Sequence, residues 1–382
     1  MSFRNAGRFK RFLKVIKKQV IVIFVLALFF LFIGLFWLSM LIVLLSGLYF
    51  CALSIHAIRK NYFLYVPLLF LFIVCLSLLT RLFVLEVYTV PSESMENTLY
   101  PGDHIILSKL NYGPKLPSSP FEIPWVNLFF YSNKTALVKG KTGWWEYRRW
   151  SGFSTIKHDD VVVFKRGDDS DEFLVKRCVG LAGDTLSIEN GLLYLNGKHV
   201  RENPNVKIPY LIETNKEFQF IKLADSLNIK YTKGDRKNER IFIYATLSTT
   251  DFRLLRRCNL KVVNRIIDGN RSFPMNESLN WTVDNMGPLI IPKKGLCIRL
   301  NLASYYLYEN IIKQSECRVI TLINGKFYLG NRQVVQYTFK NNYYFVMGDN
   351  RGDSNDSRFW GFVAEQDIQG RVLLGISSDR AI

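Results

Sequence analysis

The sequence predicts a mostly β soluble part preceded by apolar α-helices that cross a membrane. Two features carry this reading. From Gln19 to Ile58 there is no charged residue. After residue 85 the texture changes to short, β-branched, alternating segments separated by Gly, Asn and Asp.

The first 18 residues hold Arg4, Arg8, Lys10, Arg11, Lys14, Lys17 and Lys18 and no acid, and read as a basic cytoplasmic N-terminus (1–18). The 40-residue uncharged run that follows would make a helix of about 60 Å, twice the ~30 Å hydrocarbon core. Two spans in a hairpin fit, about 20–37 and 41–57. Arg59 and Lys60 interrupt the run, and a third apolar stretch covers about 62–80. Segment 19–85 thus reads as an anchor of three transmembrane helices. Basic flanks on one side require an even number of spans between them, so the third span carries the rest of the chain outside. The run is too long for a cleaved leader.

In the soluble part, Asp160–Lys165, Phe173–Val179 and Thr185–Glu189 read as strands, and Leu192–Val200 as a hairpin turning at Asn196–Gly197. Leu322–Val335 repeats that pattern. One long helical pattern stands at about Ala303–Gln314. Residues 114–157 are rich in Pro, Trp and Phe and read either as a lipid-headgroup surface or as a small satellite core. The expected organisation is a β domain from 86–202 and 335–382, with 203–334 as an inserted second lobe.

The net charge of +18 invites a nucleic-acid partner. Residues 1–88, however, hold ten Lys or Arg against one Glu, around apolar runs, so lipid is the expected partner and nucleic acid is not. The four histidines form no HxxxH or HExxH pattern and the six cysteines no CxxC pair, which disfavours a metal centre. Any disulfide among Cys258, Cys297 and Cys317 stays open.

Four blocks concentrate polar chemistry: PSESMENTL at Pro91–Leu99, GDHIILSK at Gly102–Lys109, VKRCVGLAGD at Val175–Asp184, and MGDNRGDSNDSRFWGFV at Met347–Val363. Lys176 falls inside an apolar alternating strand, where lysine is uncommon. Each block alone reads better as a capped turn or strand edge than as a site. In this order, behind a membrane span, they resemble the type I signal peptidases, whose patterns are PSxSMxPTL, GDxIxVxK, KRxVGxPGD and GDNRxxSxDSR followed by WG and Val. The departures are Asn97 and Ala182, each where Pro is usual. The long inserts resemble the larger bacterial members.

The resemblance implies a Ser-Lys signal-peptidase-type fold, with Ser94 as nucleophile and Lys176 as general base, and no cofactor or metal. It implies an oxyanion site of the Ser94 N–H and the Ser92 hydroxyl. Ser354 is expected to hydrogen-bond and orient Lys176. Gly348 is expected to pack beside the dyad, and Asp349, Asp356, Arg358 and Arg177 to fix the loop. Val90, Met95, Leu99 and Val175 are expected to line shallow apolar pockets for small side chains. The implied activity is signal-peptide removal from exported precursors after Ala-x-Ala type sites, at the outer face of the cytoplasmic membrane. The implied partners are those precursors, membrane lipids and the export translocon. A self-cleaving Ser-Lys repressor would carry a DNA-binding domain in place of the spans. An inactive scaffold would be expected to lose Ser94 or Lys176, and a homologue specialised on a narrow precursor set stays open.

Overall fold

A computed structural model describes residues 21–29, 39, 42–43, 45–47, 62–123, 145–166, 172–237, 239–258, 260–266, 268–274 and 279–377. It divides into two compact units, Met1–Glu86 with Lys109–Thr155, and Val87–Ser108 with Ile156–Ile382.

In the first unit, residues 21–29 are helical, and helix α1 spans Tyr62–Phe83 with Pro67 inside it. Phe63, Phe70, Leu71 and Ile73 are exposed on it. Among the described residues no helix is long and apolar enough to cross a membrane. The basic N-terminus and most of the spans expected at 20–37 and 41–57 lie outside the described residues. In the aromatic stretch, Trp150 stacks on Phe83 with centroids 5.5 Å apart. Trp145 and Phe153 stay half exposed.

The second unit is built on sheets. Seven strands form the largest: β1 (Leu85–Thr89, starting at the unit boundary), β2 (His104–Ser108), β3 (Val161–Lys165), β4 (Phe173–Gly180), β18 (Tyr343–Met347), β19 (Val363–Ala364) and β20 (Ile368–Ile376). Their order is β1-β2-β20-β3-β4-β18-β19. β4 lies between β3 and β18, antiparallel to both, with Val162 opposite Lys176 and Met347 opposite Arg177. A strand covered on both faces reads as a continuous apolar run rather than an alternation. All of β18 is buried accordingly, and residues Val175–Gly180 of β4 are buried too although they include Lys176 and Arg177.

A four-stranded sheet, order β12-β5-β6-β7, joins β5 (Thr185–Glu189), β6 (Leu192–Leu195), β7 (Lys198–His199) and β12 (Met286–Ile290). Asn196 and Gly197 both take positive φ at the expected hairpin, as a type I′ turn demands. The hairpin at 322–335 is a three-stranded meander of β14 (Ile320–Ile323), β15 (Lys326–Leu329) and β16 (Arg332–Val334). Strands β13 (Cys297–Arg299) and β17 (Gln336–Thr338) pair beside it. The expected helix forms at Leu302–Ser315, closed at its N-terminus by a reciprocal Asn301/Ser304 capping box.

Strands β8 (Ile208–Thr214), β9 (Tyr231–Lys237), β10 (Arg240–Leu247) and β11 (Lys261–Arg265) make another sheet, order β11-β8-β10-β9. Two helices accompany it, at Glu217–Ser226 and Thr249–Arg257. Neither was expected. The second carries a readable signal, the Ser248-x-x-Asp251 capping box. Ile212, Phe220, Ile241, Ile243 and Leu255 form the core here. Met286, Leu289, Ile311 and Phe327 instead join a core with Val179, Leu186, Phe345 and Phe362. The stretch with its own core is thus 208–265, and the later half of 203–334 packs with β4 to β6 and β18. Phe220→Ala should destabilise the 208–265 lobe by about 3–5 kcal/mol, read as a lowered midpoint of urea unfolding followed by a probe in that lobe.

Cys75, Cys178, Cys258, Cys297 and Cys317 are all free thiols. Among the described residues no cluster of His, Cys, Asp and Glu has the makings of a metal site.

Candidate active site

Ser94 sits in a single 3₁₀ turn, Glu93–Met95, directly after β1, and is buried together with Met95. Lys176 sits in the middle of β4 and is 2 % exposed. Lys176 Nζ lies 2.7 Å from Ser94 Oγ and donates to the Val175 carbonyl at 3.1 Å. Burial pushes the Lys176 amine below its ordinary value of 10.5, against the opposing pull of the Asp356 and Glu172 carboxylates. A partly desolvated amine in contact with a hydroxyl is the arrangement that general-base activation of serine requires. Ser92 Oγ lies 3.2 Å from Ser94 Oγ.

The polar loop after β18 closes over this pair. The Asn350 N–H donates to the Ser94 carbonyl at 3.0 Å. Gly348 has no room for a side chain: a Cβ there would lie 2.2 Å from Ser354 Oγ and 2.5 Å from the Ser94 carbonyl oxygen. Asp356 is fully buried and accepts from Arg358 Nε at 2.9 Å, Arg358 Nη2 at 2.9 Å, the Gly348 N–H at 3.0 Å and Ser354 Oγ at 2.8 Å. Burial alone would raise the Asp356 carboxyl, but the Arg358 charge and these hydrogen bonds outweigh it and hold the group below the usual carboxylate range. Arg358 also donates to the Arg351 carbonyl at 2.8 Å. Arg177 pairs with Asp349 through both carboxylate oxygens, at 2.7 and 2.5 Å, and donates to the Asp159 carbonyl. This fork-to-fork geometry is the strong form of the contact.

One expected contact is not made. Ser354 does not hydrogen-bond Lys176; its hydroxyl donates to Asp356. The carboxylate two residues along is the stronger acceptor, and Lys176 Nζ is already taken up by Ser94 and Val175. The four apolar residues expected at the substrate pockets, Val90, Met95, Leu99 and Val175, do come together, with Ile105, Leu107 and Val163. They are nearly fully buried, as one packed cluster beside Ser94. His104 is exposed, its Nδ1 3.1 Å from Thr89 Oγ1.

Sequence reasoning missed two contributors. Thr98 Oγ1 donates to Asp349 Oδ2 at 2.5 Å, tying the Ser94 turn to the loop. Asn350 supplies the backbone bond to Ser94. Both lie inside the quoted motifs, so position was the available signal. Asn97 has φ 80°, a value closed to proline, whose ring holds φ near −65°. Its departure from the motif is thus a different backbone geometry.

The family model described as signal peptidase, peptidase S26, matches residues 63–252 and 306–376, more than half of the chain. The chain belongs to this family. It is a serine endopeptidase. This S26 peptidase is 27 % identical over 304 residues to a signal peptidase I of Buchnera aphidicola subsp. Baizongia pistaciae, covering 79 % of this chain and 72 % of that one. It is 23 % identical over 300 residues to a signal peptidase I of Helicobacter pylori strain 26695, covering 78 % and 76 %. A solved signal peptidase I from Enterococcus faecalis V583 aligns at 17 % identity and a TM-score of 0.22, over 58 % of this chain and 98 % of that one.

Proposed function

We propose that this S26 peptidase removes signal peptides from exported precursor proteins at the outer face of the cytoplasmic membrane, using Ser94 as nucleophile and Lys176 as general base. The observation that carries the reading is the 2.7 Å contact between a buried Lys176 amine and Ser94 Oγ. The neutral amine takes the hydroxyl proton as Ser94 attacks the scissile carbonyl. The same ammonium then protonates the leaving amine, and water hydrolyses the acyl-enzyme with Lys176 again as base. The developing oxyanion is held by the Ser94 N–H and the Ser92 hydroxyl. Gly348 lets the loop lie against the dyad, and the Asp356–Arg358 and Asp349–Arg177 pairs fix the two walls.

In this reading the packed cluster of Val90, Met95, Leu99 and Val175 underlies the substrate subsites, and the residues accepted before the cut are small, as in Ala-x-Ala. The apolar, basic-flanked N-terminal 85 residues serve as a three-span anchor in this reading, and lipids and the export translocon as neighbours. Cleavage of a synthetic precursor peptide in detergent tests the reading. Wild type should cut after the second Ala, and Ser94→Ala should not cut at all. Ser92→Ala should lose about 10²–10³ in kcat with KM little changed, the usual cost of one oxyanion donor. Wild-type kcat in Ser92→Ala would remove that residue from the oxyanion site.

A further inference from the structure

The 208–265 lobe and the segment leading into it grip the turn that carries Ser94. Lys207 is buried, and its Nζ lies 3.4 Å from Glu96 Oε1, also buried. Lys230 reaches Glu93, and lies 3.6 Å from Glu96 Oε2. The Asn97 side chain donates to the Asn205 carbonyl at 3.1 Å. The same short segment is laced to the loop after β18: Lys207 N–H donates to the Asp349 carbonyl at 2.8 Å and Arg351 N–H to the Lys207 carbonyl at 2.9 Å, as a parallel bridge between Lys207 and Asn350. Asn350 in turn donates to the Ser94 carbonyl and, through its side chain, to the Glu93 carbonyl. Two acids flank Ser94 in the chain, and each meets a lysine from outside the seven-stranded sheet.

A cavity of about 510 Å³ opens beside these groups, lined by Glu93, Glu96, Lys207, Lys230, Asn350 and Arg351 among others. On that side the turn rests on polar bridges rather than on packed side chains. The opposite side of the turn is apolar, with Met95 in the cluster around Val90 and Val175. The position of Ser94 Oγ relative to Lys176 Nζ is therefore set by the apolar cluster on one side and by the lysine bridges on the other. Asn97, with its left-handed backbone, lacks the rigidity a turn proline would bring, and it is the residue bonded to Asn205.

We propose that Lys207 and Lys230, through Glu96 and Glu93, are positioning residues that hold the Ser94 turn at its reacting distance from Lys176, and that this is the contribution of the inserted lobe to the reaction. The inference rests on the Ser94–Lys176 reading. In the full-length enzyme in detergent, Glu96→Gln and Lys207→Met should each lower kcat on the precursor peptide about 10–100-fold, the scale of a sub-ångström to ångström misplacement of a reacting group, with KM within about threefold. Lys207→Arg should restore most of the loss, because the charge and reach are kept. Lys230→Ala should cost about two- to fivefold, since that pair is half exposed and screened.

A residue that served the fold alone would lower the melting temperature and leave the pH profile of the folded fraction where it was. Loosening the turn instead admits water to Lys176, which moves the acidic limb of kcat/KM to higher pH. Loss of the negative charge of Glu96 by itself would move that limb the other way. Wild-type kcat and an unmoved limb in folded Glu96→Gln overturn the proposal. So does a change confined to KM. If Lys207→Met does not fold, the near-isosteric Glu96→Gln and the exposed Lys230→Ala decide. Ser94→Ala and Lys176→Met are assayed alongside. Activity surviving in either overturns the dyad itself, whereas inactivity in both with wild-type Glu96→Gln overturns only the clamp.

Discussion

Lys176→Met should abolish cleavage of the precursor peptide, with kcat reduced on the order of 10⁴-fold or more and the protein still folded. Methionine fills nearly the same volume in the middle of β4 and removes only the amine. The buried position costs nothing to make apolar; the lysine is there at the expense of desolvation, which is why its amine is pushed down from 10.5. Stability should therefore hold or rise, since no partner carboxylate is left unpaired: Asp356 keeps Arg358 at 2.9 Å. Combining Lys176→Met with Ser94→Ala should add little further loss, because the two act as one unit.

The pH profile of wild type carries the same signature. The base must be neutral, so kcat/KM should rise with pH along a limb lying below the ordinary lysine value. The sign for stability is the same. A lysine with a lowered folded value is bound to fewer protons in the folded than in the unfolded chain, so its burial penalty is largest below the folded value and fades as pH rises towards 10.5. A folded, fully active Lys176→Met enzyme would leave Ser94 without a base.

Asp356→Ala should cost about 3–5 kcal/mol of stability and nearly all activity. The arithmetic follows from burial. Arg358 is buried and loses both its carboxylate contacts, while the Gly348 N–H and Ser354 hydroxyl lose their shared acceptor. Leaving a buried guanidinium unpaired is far worse than never having the pair. Asp356→Asn keeps an acceptor and the shape, and should fall between. Because the Asp356 carboxyl is held below the usual range, its stabilisation is present above the ordinary value of 3.8 and is lost as pH falls through the lower folded value. Urea midpoints across acid pH measure this, and Asp356→Ala should flatten that part of the curve. A midpoint equal to wild type in Asp356→Ala would mean the loop is held by something other than this pair.

Much of the site was legible because its chemistry is local. The four polar blocks each contain their own turn residues, and their order along the chain, through the family it resembles, pointed to Ser94 and Lys176 as candidates. Lys176 stood out because a charged residue is uncommon in an apolar alternation. The strands at Val161–Lys165, Phe173–Gly180 and Thr185–Glu189 were legible for the same reason, being short β-branched runs bounded by charge or glycine. The helices at Glu217–Ser226 and Thr249–Arg257 were not read, since short amphipathic patterns in polar sequence compete poorly with strand signals; the Ser248–Asp251 capping box was the one firm cue. The partner of Ser354 was misjudged because a hydroxyl chooses between acceptors by distance and charge. Asp356 is two residues away, and that proximity counts only once the loop is folded back on itself.

The sequence by itself determined the Asn196–Gly197 turn, its counterpart in the 322–335 hairpin, and the apolar, basic-flanked character of the N-terminal region, and it singled out the candidates for the reacting groups. These depend on residue type and near-neighbour spacing, which chain order carries directly. Only the tertiary structure decided that Lys176 reaches Ser94 at 2.7 Å, that Val90, Met95, Leu99 and Val175 pack as one cluster, and that Lys207 and Lys230 bridge to the acids beside Ser94. Those contacts join segments far apart in the chain. Their formation depends on burial, on the register of β3, β4 and β18, and on which charges are left without water. None of these quantities exists until the chain has closed around them.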